Sequence, residues 1–120
     1  MIEMKNQVFK KRLQFAMNGI WVALKTEPSF RWQLLCGLGA YGVLFFFHAS
    51  SIWWGLFTIM IAMILSGELV NSALERTIDR LHPEMHPLIA QAKDCAAGGV
   101  LILSIGSLIL LGCFLLSQYS

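Results

Sequence analysis

The chain has 120 residues, of which 57% are hydrophobic and 13% charged, with a net charge of +2. A mean hydropathy of +0.65 in so short a chain excludes an ordinary soluble domain and fits a small integral membrane protein. So small a net charge gives no reason to expect a nucleic-acid partner.

Residues 9–26 read as an amphipathic helix. Phe9, Leu13, Ala16, Met17, Ile20 and Leu24 share one face, Lys11, Gln14, Asn18 and Lys25 lie opposite, and Lys10 flanks the boundary. Basic residues over an apolar stripe suit a helix lying at the lipid headgroups, or one packed on the rest of the protein. Glu27-Pro28 ends it, because a residue before proline is biased out of helical geometry. Pro28 or Ser29 then opens the next helix.

Membrane helices are predicted over about 30–49, 52–81 and 88–116. A bilayer core of about 30 Å needs roughly 20 helical residues. The apolar runs Ile52–Val70 and Cys95–Leu116 meet that length, whereas the first run does so only by borrowing Phe30–Gln33. His48–Ser51 is too short for anything but a tight turn, and Trp53 and Trp54 suit an interfacial aromatic belt. His82–Pro87 is the connection to the last helix. There Gly99, Gly106 and Cys113 recur every seven residues, which reads either as a small-residue seam for close helix approach or as the ordinary frequency of glycine in membrane helices. The first long apolar run begins past residue 30, so no signal peptide is expected. The fold expected is all-α and integral to the membrane, a single domain over residues 1–120. It has three transmembrane helices plus an N-terminal amphipathic surface helix.

Charge placement orients these spans. Lys5, Lys10, Lys11, Arg12, Lys25 and Arg31 precede or open the first; Arg76, Arg80 and Lys93 lie between the second and third. The positive-inside rule then places the N-terminus and the 76–93 region in the cytoplasm, and the short turn and C-terminus outside. Cys36, Cys95 and Cys113 lie in or beside apolar runs without metal-ligand or disulfide spacing, which reads as packing.

The chemistry concentrates in one row. Glu68, Asn71, Glu75 and Asp79 are spaced by three, four and four residues at the inner end of the second span. At about 100° per residue they fall within roughly 80° of one helix face. The same inner surface collects Glu27 and the pair Lys93-Asp94. Membrane anchoring needs none of these acids, and an unpaired buried carboxylate is costly. Two readings account for them. One is a salt-bridge set with Arg31, Arg76, Arg80 and Lys93. The other is a divalent-metal and phosphate site, favoured by Asn71, which cannot serve as a charge partner. No G-x-x-x-x-G-K-S/T loop, protein-kinase motif set or Ser/His/Asp arrangement is present, and His82 and His86 read as solvated loop residues.

The run Glu68-Leu-Val-Asn71-Ser-Ala-Leu-Glu75-Arg-Thr-Ile-Asp79 resembles the E-x-x-N-S/T-A-I/L-E-x-x-x-D signature of the prokaryotic diacylglycerol kinase and undecaprenol kinase family. Glu27-Pro-Ser-Phe30-Arg31 is similar to its E-x-x-F-R block, and Ala92-Lys93-Asp94 with Ala96-Ala97-Gly98 to its A-K-D segment. The three blocks keep the family's order and separations, and the resemblance covers residues 9–116. It implies a bacterial inner-membrane enzyme that moves the γ-phosphate of ATP to a lipid hydroxyl at the cytoplasmic interface. It also implies a homotrimer whose composite sites draw on neighbouring subunits. By motif position, Glu68 is the expected general base, and Glu27 and Glu75 the ligands of Mg²⁺. Asn71, Asp79, Lys93 and Asp94 position nucleotide or support the site.

A base nearest the apolar region can meet a lipid head, and Glu68 is the innermost acid of the row. Glu75 lies about 10 Å further along the axis at the roughly 1.5 Å rise of a helix, which leaves room for a phosphate between base and metal. The acceptor stays open between diacylglycerol and undecaprenol. Trp32-Gln33 lacks the acid typical of the diacylglycerol branch after F-R, and Phe15–Gly19 with His86-Pro87-Leu88 look more like the polyprenol branch. A small proton- or cation-coupled transporter using Glu68 is the alternative function. It leaves Glu27, Asn71, Glu75 and Lys93-Asp94 unexplained and expects acids nearer the midplane. A third possibility is a scaffold whose polar row only holds a trimer together.

Overall fold

A computed structural model describes the backbone of residues 2–120 and the side chains from Val8 onward. Lys5, counted above among the N-terminal cations, lies outside the described side chains. The described residues form four helices: α1 (Ile2–Thr26), α2 (Pro28–Phe46), α3 (Ser51–Leu81) and α4 (Pro87–Ser117). No strand occurs among the described residues. α3 is central, with α2 and α4 packed on it and the end of α1 touching both α2 and α3.

Among the described residues two helices, Ser51–Leu81 and Pro87–Ser117, are long and apolar enough to cross a membrane. Each has 31 residues, or about 46 Å at 1.5 Å per residue. That exceeds a hydrocarbon core of about 30 Å, so each helix carries a segment beyond its apolar part. On α3 that segment contains the acid row.

Local sequence explains each boundary. Pro28 occupies the first turn of α2, where its missing N–H costs nothing. Glu27 before it is extended, with φ −112° and ψ 102°. α2 stops at Phe46, three residues before the boundary read from the sequence, because the chain closes a Schellman turn there. His48 N donates to Phe45 O at 3.2 Å and Ala49 N to Leu44 O at 3.0 Å. His48 holds the left-handed position of that turn, with φ 51°. α3 ends before His82-Pro83, its last backbone bond running from His82 N to Ile78 O. At the start of α4, His86 Nδ1 accepts from Leu88 N at 3.1 Å and caps the helix.

The firmest packing lies at the α2–α3 turn. Leu44, Phe57 and Phe114 are buried there. Phe114 takes edge-on contacts from Phe47, Trp53 and Phe57, with ring centroids 5.2–5.8 Å apart. Beside this knot Tyr41 stacks on Trp54, and its hydroxyl meets Thr58 Oγ1. From the knot toward the polar end, α2, α3 and α4 enclose an apolar cleft of about 350 Å³, lined by Gln33, Ala40, Phe57, Ile64 and Leu108 among others.

Gly99, Gly106 and Cys113 do not form a continuous seam against α3. A Cβ added to Gly106 would lie 3.4 Å from Met60, but one on Gly99 would meet nothing within 4 Å, and Cys113 is exposed. Their repeat keeps them on one face of α4, yet helices that cross touch over a limited stretch. The tightest glycine contact between α3 and α4 is at Gly67, where an added Cβ would fall 2.9 Å from Leu103 Cδ1. α2 meets α3 closely at Gly37, against Ile61.

Candidate functional site

Glu68 lies 17 residues into α3, about 26 Å from its first residue at the helical rise. It therefore sits near the end of the apolar part of α3 that begins at the α2–α3 turn. Two side-chain rows diverge from it along α3. Ser72 and Arg76 continue at i+4 and i+8; Asn71, Glu75 and Asp79 continue at i+3, i+7 and i+11. The two rows meet different parts of the fold.

The first row fastens the elbow between α1 and α2. Ser72 Oγ donates to Glu27 Oε1 at 2.8 Å, and Arg76 Nη2 donates to the same oxygen at 3.0 Å. Arg76 Nη2 also reaches Thr26 Oγ1 at 2.5 Å, and Arg76 Nε lies 3.3 Å from Ser72 Oγ. Although Glu27 is the cap residue of α2, its side chain makes no capping bond and turns to α3 instead. The hydrogen bonds from Ser72 and then Arg76 hold its carboxyl below the usual glutamate range, outweighing the opposing pull of burial. Arg31 supports the elbow from the other side, its guanidinium donating to the carbonyls of Leu24 and Lys25 at 2.9 and 3.0 Å.

The second row reaches α4 through Asp79. Lys93 Nζ meets Asp79 Oδ1 at 2.5 Å. Half-buried Glu75 makes no side-chain hydrogen bond or ion pair, and exposed Asp94 makes none either, among the described residues. Asn71 Oδ1 is buried and has no hydrogen-bond partner among the described residues. A buried acceptor left unmatched costs about 1–3 kcal/mol, so a ligand donor or cation at this point would be rewarded. Glu68 itself is half-buried, beside the Gln33 side chain and within electrostatic reach of Glu27 and Glu75.

Glu27, Glu68 and Glu75 thus share one neighbourhood, with Asn71 between Glu68 and Glu75 along α3. Asp79 and Lys93 form a separate pair further along, and Asp94 stands apart. Both sequence readings are represented, since Arg76 and Lys93 pair with acids while Glu68 and Glu75 pair with no cation among the described residues. Sequence reasoning missed Ser72, Thr26 and Gln33. Ser72 alone left a trace, at i−4 to Arg76 and i+4 to Glu68.

A hard divalent cation takes oxygen ligands, and Mg²⁺ commonly uses one or two carboxylates plus substrate phosphates. No three His, Cys, Asp or Glu side chains among the described residues are gathered closely enough to cage an ion unaided. The donors present are nonetheless of the right kind. Glu27 Oε2 accepts no protein hydrogen bond among the described residues, Glu75 is uncommitted, and Asn71 Oδ1 is an unmatched oxygen. These residues fit Mg²⁺ held jointly with phosphate.

Comparison with known proteins decides the family. Residues 14–115 match the model of the family described as prokaryotic diacylglycerol kinase. The chain belongs to the prokaryotic diacylglycerol kinase family. It is therefore a member of a family of lipid kinases. It is 34% identical over 109 residues to a protein named undecaprenol kinase from Bacillus subtilis, covering 85% of this chain and 83% of that one. It is 32% identical over 104 residues to a diacylglycerol kinase from Synechocystis, covering 86% of this chain but only 59% of that longer relative. A diacylglycerol kinase from Pseudomonas aeruginosa is 36% identical over 83 residues, covering 67% of this chain and 65% of its own. The matched region contains Glu27, Glu68, the two rows below it and Lys93-Asp94. In a member of this family, the carboxylate neighbourhood at the end of the apolar part of α3 is the candidate active site.

Proposed function

We propose that this lipid kinase transfers the γ-phosphate of Mg²⁺-ATP to the hydroxyl of a diacylglycerol or an undecaprenol at the cytoplasmic face of the bacterial inner membrane. The observation carrying this reading is the placement of Glu68. It stands where the apolar part of α3 ends, with Glu27 and Glu75 in electrostatic range. A lipid presents its hydroxyl at that depth, whereas ATP reaches the site from water.

A lipid hydroxyl is a poor nucleophile until its proton is accepted, and Glu68 is the base. Its oxygen attacks the γ-phosphorus, the bond to the ADP oxygen breaks, and the proton passes to Glu68. Glu27 and Glu75 are the expected Mg²⁺ ligands, and the ion would neutralise phosphate charge in a reaction governed by positioning. Asn71 orients nucleotide through its unmatched oxygen, Lys93 leaves Asp79 to meet phosphate, and Asp94 supports that turn of α4. The apolar cleft beginning at Gln33 suits a hydrocarbon chain whose head lies beside Glu68.

In this reading α2, α3 and α4 all span the bilayer, with α1 along the inner headgroups. α2 has 19 residues, about 28 Å of helix, enough for the hydrocarbon core when its start lies at the interface. The largely exposed apolar side chains of α1, including Phe9, Leu13 and Met17, gain a lipid surface to bury in. The active form is a homotrimer.

The test is transfer of labelled γ-phosphate from Mg²⁺-ATP in mixed micelles, with diacylglycerol and undecaprenol offered separately and Glu68→Gln alongside. Labelled lipid that disappears in the variant establishes the kinase and names the acceptor. Normal turnover by Glu68→Gln removes the assigned base.

A further inference from the structure

The contact between Arg76 and Glu27 is poorly suited to stabilising the fold. Its side chains are 50% and 31% exposed, and ion pairs that open to water contribute about 0–1 kcal/mol. Its geometry is nonetheless specific. Two donors from successive turns of α3, Ser72 Oγ and Arg76 Nη2, converge on Oε1 of Glu27 and leave Oε2 without a protein donor. The guanidinium also binds Thr26 Oγ1, on the residue before Glu27, and reaches Ser72 through Nε. Both the Thr26 side chain and one carboxylate oxygen of Glu27 are thereby tied to the helix that carries Glu68 and Glu75. Glu27 needs such a tie. It lies between two helices in extended backbone, its carboxylate makes no cap bond to α2, and a glutamate has three side-chain torsions to scatter through.

We propose that Arg76, acting with Ser72, is a positioning residue that clamps Oε1 of Glu27 so that Oε2 is presented as a metal ligand. The proposal rests on the reading of Glu27 as a Mg²⁺ ligand given above. Hydrogen bonds to the far oxygen of a ligating carboxylate restrict its rotation before the ion arrives, and losing such a partner commonly costs about 10–100-fold in metal affinity.

The direction of the effect separates this role from others. Arg76 is a cation beside a cation site, so on charge alone its removal would tighten metal binding. Clamping predicts the reverse. A residue that merely held α3 to the elbow would lower thermal stability and leave the affinity of the folded protein unchanged.

The test uses the full chain in detergent micelles without lipid substrate. Mn²⁺ is titrated in the presence of a non-hydrolysable ATP analogue, binding is read by electron paramagnetic resonance, and thermal unfolding is followed in parallel. Arg76→Ala is expected to weaken Mn²⁺ binding about tenfold or more while moving the unfolding temperature by only a few degrees. Ser72→Ala, which removes one donor and leaves the guanidinium, is expected to weaken it less, and it carries the test should Arg76→Ala fail to fold. Unchanged or tighter binding in the folded variants overturns the proposal. Glu27→Gln identifies which idea has failed. If it leaves Mn²⁺ affinity intact, Glu27 is not a metal ligand and the underlying reading falls as well. If it weakens binding while the Arg76 and Ser72 variants do not, the clamp alone is wrong.

Discussion

Lys93 Nζ on α4 and Asp79 Oδ1 on α3 stand 2.5 Å apart, bridging the two helices on either side of the His82–His86 connection. The side chains are 36% and 64% exposed, so the pair contributes at most about 1 kcal/mol to stability. A lysine held this lightly can exchange its partner for a phosphate. Lys93→Met is expected to leave the unfolding temperature nearly unchanged. Its kcat/KM for ATP should fall about 10- to 100-fold, the equivalent of a charged hydrogen bond of about 1.5–3 kcal/mol. Kinetics with varied ATP beside a melting curve check this. Equal losses in stability and rate would make the pair structural.

Acid should release the elbow. Because the folded Glu27 carboxyl titrates below its ordinary range, its contribution to stability is complete above the unfolded pKa of about 4.3. It is lost as pH falls through the lower folded value. The difference in unfolding temperature between wild type and Glu27→Gln should therefore be constant near neutrality and close on acidification. A difference that widens toward low pH would contradict the Ser72 and Arg76 bonds.

Gly67 sets how closely α3 and α4 approach. A methyl group there meets only the far end of Leu103, which can rotate away, so Gly67→Ala should be tolerated. Gly67→Ile overpacks the crossing and should cost about 1–3 kcal/mol. Adding Leu103→Ala to that variant should recover part of the loss, as expected of residues in contact. Denaturation of the wild type and the three variants in one detergent provides the comparison.

His48 occupies a backbone conformation that favours glycine, at φ 51°. The left-handed region costs an L-residue roughly 1–2 kcal/mol, and glycine returns part of that through its greater freedom when unfolded. His48→Gly should raise stability by up to about 1 kcal/mol without altering activity, since Glu68 lies 17 residues into α3, about 26 Å along the helix from its first residue. A melting curve that drops would mean that the imidazole makes a compensating contact.

Much of this was legible without coordinates because it is local. Helical periodicity alone aligns Glu68, Asn71, Glu75 and Asp79, and Pro28 and Pro83 interrupt helices wherever the chain goes. The exact stop of α2 was less legible, because a left-handed histidine can close a helix without the glycine that usually announces it. The seven-residue repeat of Gly99, Gly106 and Cys113 misled for a related reason. Periodicity names a face of α4 but not where on that face a neighbour crosses, and it is at Gly67, with no repeat to mark it, that an added Cβ would press hardest on α4.

The sequence by itself determined the helical class, the family and the residues able to carry the chemistry, because these depend on composition, spacing and motif order. Only the tertiary structure decided which cation serves which acid. Arg31, Arg76, Arg80 and Lys93 were equivalent candidates along the chain. In the fold Arg76 takes Glu27, Lys93 takes Asp79, and Arg31 turns to the carbonyls of α1. A charge pair forms between groups that packing brings within a few ångströms, and the 49 positions separating Arg76 from Glu27 are closed only when the elbow of α1 and α2 docks against α3.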